Sequence, residues 1–179
     1  MARFYDVPAG GYVGLTNSKL NDAQAGYETG MSGIAGVLGG MDMFNIGGLI
    51  DALKTFDFAK AVIDDEIAQM MKRMKRGVSF SDEDLGVNLI KEIGPGGSFI
   101  TAKHTTSRMK TEAVMTKIAD RDARSIWEKK GATDTHAKAL KKAKDVMASN
   151  TTPLISPEVD EKIRAAFPGL VPGVLEPIP

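Results

Sequence analysis

Cysteine is absent from the 179-residue chain. That excludes disulfides, thiolate nucleophiles and cysteine-ligated zinc together, and it fits a reducing compartment. Histidine is almost as scarce: His104 and His136 stand far apart and argue against a dedicated metal centre. No apolar run approaches the ~20 residues that a membrane span needs. The opening MARFYDVPAGG lacks the basic-then-apolar order of a secretory signal. These absences predict a soluble cytoplasmic protein with no membrane partner. An excess of either charge is missing too. The 23 basic residues equal the 23 acidic ones, so no global field draws the chain to nucleic acid. Partners must be recognised locally.

What is present is enough apolar material, 42% of residues, to bury one core; two independent domains are not expected. Residues 11–15 (GYVGL) and 41–46 (MDMFNI) are short apolar runs bounded by glycine, as buried strands are. A third short strand is expected at 98–102. Asp22 can cap a helix running to about Leu38, with Ala23, Gly26, Tyr27, Gly30, Gly33 and Ile34 spaced for close packing of its small face. An amphipathic helix over 57–76 carries Phe58, Val62, Ile63, Ile67, Met70, Met71 and Met74 as its apolar stripe. Asp64, Asp65 and Glu66 precede Lys72, Arg73, Lys75 and Arg76, an order that complements the helix dipole, and Gly77 ends it.

Ser81 to Asp84 reads as a capping-box variant opening a helix with Leu85, Leu89, Ile90 and Ile93 inside, closed by Gly94-Pro95. Helical patterns follow near 105–118, from Arg124, over 134–147 and over 158–166. Residues 150–157 read as a linker, and PGLVPGVLEPIP as an extended arm. Strand, helix, strand, helices, strand is the grammar of parallel βαβ units, whose ligands gather at the carboxyl ends of strands. The polar stretch from Thr16 to Gln24 falls in the loop after the first strand.

Other constellations are weaker. GPGG at 94–97 lacks the lysine and hydroxyl of a phosphate loop and precedes a strand, so a turn is expected. His104 is either a polar site residue or a histidine satisfying backbone groups; His136 reads as solvated. No serine, histidine and acid grouping is legible, and the basic residues of 103–130 are interrupted by acids, against a nucleic-acid partner. Tyr5, Tyr12, Tyr27 and Phe44, with Asn17, Asp22, Gln24, Glu28 and Asn45, are the residue types that would cage a cation.

The succession ARFYDVP, TNSK with DAQAGYE, NIGGL, DDEI, IKEIGPGGSFITAKHT and ADRDARSIWEKKGATD resembles the C-terminal part of the trimethylamine methyltransferase (MttB) superfamily. The resemblance covers about residues 2–148. It implies an α/β fold: the C-terminal portion of a TIM (β/α)8 barrel with additional C-terminal helices. On it, residues 1–104 carry barrel βα units, 105–150 a helical extension, and 151–179 a proline-rich tail with one short helix. A whole barrel takes about 250 residues. The resemblance therefore implies either a fragment or a chain that completes its fold with an upstream barrel half or as an oligomer.

It also implies a corrinoid-dependent methyltransferase with no directly bound cofactor, whose acceptor is the Co(I) corrinoid (cobalamin) of a cognate partner protein. Leu15 falls at the place that carries pyrrolysine in trimethylamine members, and leucine cannot form a covalent amine adduct. The resemblance thus favours a quaternary amine such as glycine betaine, carnitine or proline betaine, which loses a methyl without covalent help. On that alignment Asn17, Asp22, Gln24, Glu28 and Asn45 orient the substrate, with Gln24 on its carboxylate. Tyr27 and Phe44 wall the cage, and His104 lines the mouth. The competing expectation is a half-barrel remnant or assembly subunit that binds without turnover.

Overall fold

The computed structural model describes residues 1–149, 155–167 and 169. A single helical turn, α1 (Ala2–Tyr5), leads into β1 (Gly10–Tyr12), then α2 (Ala23–Gly39) and β2 (Met43–Asn45). The two strands pair in parallel, with Gly10 opposite Met43, Gly11 opposite Phe44 and Tyr12 opposite Asn45. This βαβ unit meets the expectation from the two apolar runs. Alternation along the strands separates the faces: Phe44 turns toward α2, while Tyr12, Met43 and Asn45 lie exposed on the other side.

Asp22 caps α2 by accepting from the Ala25 N–H at 3.1 Å, and Gly40 closes it in the left-handed conformation. The buried stripe is Ala25, Thr29, Gly33 and Gly36, which keeps Gly33 of the expected stripe and replaces Ala23, Gly26, Tyr27, Gly30 and Ile34. The packing neighbours decide it. A Cβ on Gly36 would stand 2.7 Å from the Phe44 ring and 3.1 Å from Val13, whereas Gly26 and Gly30 face open space.

A small antiparallel hairpin, β3 (Leu49–Ile50) and β4 (Thr55–Phe56), precedes α3 (Phe58–Arg76). Asp57 caps α3 through the Lys60 N–H at 2.6 Å, and Gly77 follows its basic last turn. Val62 and Ile63 pack into the core and Met71 is buried, as expected, but Phe58 and Met74 are exposed. The deepest positions on α3 belong instead to Ala59, Lys60 and Asp64.

The expected helix after Ser81 is broken into α4 (Asp82–Leu85) and α5 (Val87–Ile93) by Gly86 at φ 63°. Leu85 and Ile90 are exposed and Leu89 and Ile93 only half-buried, so none of the four is a core residue. Ser81 does cap α4, through the Asp84 N–H. Residues 94–97 form the expected turn. No strand follows at 98–102. Among the described residues no neighbouring strand pairs with this segment, and a strand without a ladder has no partner for its backbone groups. Instead Ala102 donates to the Phe99 carbonyl and α6 (Lys103–Glu112) begins.

Three helices complete the described chain: α7 (Arg124–Lys129), α8 (Thr135–Ser149) and α9 (Pro157–Ala166). The core lies where α8 runs along α3 and the 116–119 segment joins them, with Ala59, Ile118 and Ala139 surrounded by Val62, Ile63 and Leu140. Most of the expected linker and the proline-rich tail lies outside the described residues. The chain is thus mixed α/β, mostly helical, with few short strands. No helix among the described residues is long and apolar enough to cross a membrane.

Candidate functional site

The segment following β1 is built from side chains that bind backbone. Val13 donates to the Asn45 carbonyl at 3.3 Å, continuing the parallel pairing. Gly14 then turns the chain at φ 76°, a conformation that any Cβ would oppose. Its N–H donates to the Ser32 hydroxyl at 2.9 Å. Its carbonyl accepts from Thr29 Oγ1 at 3.2 Å and from Lys60 Nζ at 3.1 Å. Leu15, half-buried, comes next.

Residues 16–18 lie against the β3–β4 turn. Ala52 donates to the Thr16 carbonyl at 3.0 Å and Asp51 to the Ser18 carbonyl at 2.8 Å. From the other side Glu28, on α2, accepts from the Asn17 N–H and from Gln24 Nε2, both at 2.9 Å. The Thr16 hydroxyl, followed by these two donors, holds the Glu28 carboxyl below its ordinary value. Asp22 accepts from Ala25 N–H and from Ser18 Oγ, and the same two bonds, in that order, lower its pKa. Two ionised carboxylates therefore stand at the carboxyl end of β1, each fixed by donors from the loop.

Asn17, Asp22, Gln24 and Glu28 are brought together in one network, directly after Leu15. Asn45 stands beside it in the sheet, across from Tyr12. Tyr27, on α2, is 60% exposed and off the buried stripe that meets Phe44, so the two expected cage walls are not brought together. Phe44 is on the helix-facing side of β2, its ring packed where Gly36 leaves room, and it lines a cavity of about 340 Å³ with Ile46, Ala68 and Met71. His104 is apart from this group: on α6 its Nε2 is 2.8 Å from the Glu83 carbonyl, with Gly86 against the ring. That is the backbone-satisfying alternative. His136 is exposed, as expected, and its Nδ1 lies 3.3 Å from Asn21 Nδ2.

Thr16, Ser18, Thr29, Ser32, Lys60 and Asp64 were not singled out from sequence. The first two lie inside the TNS run, next to a residue that was. Lys60 and Asp64 carry a subtler signal: with Ile67 and Met71 they occupy positions i, i+4, i+7 and i+11, one face of α3. Among the described residues no cluster of three or more metal-ligating side chains occurs.

The order of these motifs, on a βαβ unit with its polar loop at a strand end, is matched by a family model described as Trimethylamine methyltransferase (MTTB) over residues 1–167. The chain belongs to the trimethylamine methyltransferase family. It is 34% identical over 166 residues to a glycine betaine methyltransferase of Desulfitobacterium hafniense (strain Y51), covering 92% of this chain and 34% of that protein. It is also 34% identical over 171 residues to a trimethylamine methyltransferase MttB of Desulfitobacterium hafniense (strain DSM 10664 / DCB-2), covering 96% and 34%. A trimethylamine methyltransferase MttB2 of Methanosarcina mazei is 30% identical over 168 residues, covering 92% and 33%. The chain thus spans about a third of the length of these family members.

Proposed function

We propose that this chain forms the strand-end portion of the amine site in a corrinoid-dependent methyltransferase acting on a quaternary amine such as glycine betaine. The observation that carries the reading is the Glu28 network: it gathers Asn17, Gln24 and, through Ser18, Asp22 beside Leu15. Family membership and the relatives' printed names support the methylated-amine class. Leucine at position 15 has no group for covalent attachment of an amine, which favours a quaternary over a tertiary substrate.

The residues have complementary tasks. Asp22 and Glu28, ionised across the neutral range, attract the cationic head. Gln24 gives one amide N–H to Glu28 and keeps the other for the substrate's carboxylate. A loop pinned to both α2 and the hairpin holds one methyl in line for transfer. The C–N bond breaks with its electron pair on nitrogen, which leaves as a neutral tertiary amine. The methyl passes to the Co(I) corrinoid of a partner protein, the acceptor substrate.

The remaining two-thirds of a relative's length would complete the site. Tyr12, Met43 and Asn45 expose one face of a two-stranded parallel sheet, and parallel sheets are ordinarily covered on both faces. The test combines the chain with the non-overlapping part of the glycine betaine relative and a Co(I) corrinoid protein, following the corrinoid spectrum. Transfer from glycine betaine, carnitine or proline betaine but not from trimethylamine is expected. Turnover of trimethylamine, or a complex that forms yet transfers from no amine, would overturn the reading; the latter result would favour a binding subunit.

A further inference from the structure

Lys60 and Asp64 are each about 1% exposed, one turn apart on α3, and joined at 2.6 Å from Nζ to Oδ2. A buried ion pair is a poor way to stabilise a fold. Desolvation opposes it, and apolar residues of similar volume often do as well or better. Here desolvation pushes the Asp64 carboxyl upward against the Lys60 bond, and Oδ1 has no hydrogen-bond partner among the described residues. What the pair does that leucine or methionine cannot is hold two backbone groups from separate segments. Lys60 Nζ donates to the Gly14 carbonyl at 3.1 Å, and Asp64 Oδ2 accepts from the Gly48 N–H at 2.8 Å.

Both backbone contacts fall at strand ends. Gly14 follows β1 and Gly48 follows β2, and each is a left-handed turn, at φ 76° and 71°. Gly14 has no slack elsewhere. Its N–H is taken by Ser32, Thr29 shares its carbonyl, and Ile46 Cγ1 fills the space where a Cβ would stand. The peptide joining Gly14 to Leu15 is therefore set by side chains of α2 and α3, not by a strand neighbour. We propose that Lys60 and Asp64 are positioning residues that fix the Gly14–Leu15 peptide, and with it the strand-end loop, relative to the end of β2. The proposal rests on the site reading above only for its functional consequence.

The test is hydrogen exchange on the full chain, comparing wild type with the Lys60→Met/Asp64→Leu double variant, which keeps volume and removes both charges. Opening free energies differ locally, so loss of the clamp is expected to speed exchange at Gly14, Asn17, Ser18, Gly48, Asp51 and Ala52 by about tenfold or more. Amides of α3 and α8 around Val62, Ile63 and Leu140 should change by less than about twofold. Uniform acceleration through α3 and α8 would make the pair a core element only; unchanged loop exchange would deny it any role. Should the double variant fail to fold, Asp64→Asn is read in the same way: it keeps an acceptor for Gly48 and weakens the hold on Lys60, so selective loop acceleration supports the proposal and uniform or absent change rejects it. In the complemented methyl-transfer assay, kcat is expected to fall with little change in KM, as misplaced but bound substrate requires. Wild-type silence in that assay together with selective loop exchange would remove the functional reading and leave the positioning role standing.

Discussion

Gly14 and Gly26 sit twelve residues apart and ask opposite things of a side chain. Alanine at Gly14 would meet Ile46 Cγ1 at 2.7 Å in a left-handed turn. Gly14→Ala is expected to destabilise the chain by about 2 to 4 kcal/mol, adding conformational strain to overpacking. Gly26 lies within α2 with nothing near a Cβ, and Gly26→Ala should stabilise by about 0.5 to 1 kcal/mol. Denaturant midpoints of the two variants check both signs. At this scale the sequence was legible where residues act locally: Asp22 and Ser81 were readable as caps because a cap needs only its own next turn. Lys60 and Asp64 were not, because their partners at Gly14 and Gly48 are distant in sequence and become visible only once α3 is laid across the strand ends.

At the scale of elements, α2, α3 and α8 could be read from periodicity, while 98–102 could not, since an apolar pentapeptide is a strand only if another strand lies beside it. Which face α2 buries was equally hidden, because glycines fill all its faces and its neighbours choose among them. Gly36→Ala should therefore cost about 1 to 3 kcal/mol against the Phe44 ring, while Gly30→Ala does not, a contrast measurable by thermal unfolding. The joint between α3 and the 116–119 segment gives a pH signature. Burial raises the Glu66 pKa, but N–H donors from Ile118, Ala119 and Lys117 outweigh it, leaving the carboxyl below its ordinary value. A lowered native pKa stabilises above the ordinary glutamate range and is lost as pH falls through the native value. Wild-type stability should thus decline on acidification below the ordinary glutamate range. Glu66→Gln should flatten that limb of a stability–pH curve, and Glu66→Ala should cost about 2 to 3 kcal/mol at neutral pH by stranding N–H donors.

At the scale of the molecule, the parallel pair β1 and β2 is too small to stand for a barrel, and the chain spans about a third of its relatives' length. If a complementary polypeptide covers the exposed face, Tyr12→Glu should weaken that complex by about tenfold or more, since a buried carboxylate without a partner is costly. Light scattering of mixed chains reads the change. Helix α3, meanwhile, touches α2, α8, the 116–119 segment and both strand ends. That arrangement imposes an order on synthesis. A nascent chain that has emerged only to residue 57 holds both strands and α2, yet neither the ammonium for the Gly14 carbonyl nor the carboxylate for the Gly48 amide has left the ribosome. The first turns of the sheet must wait on the ribosome for the helix that locks them.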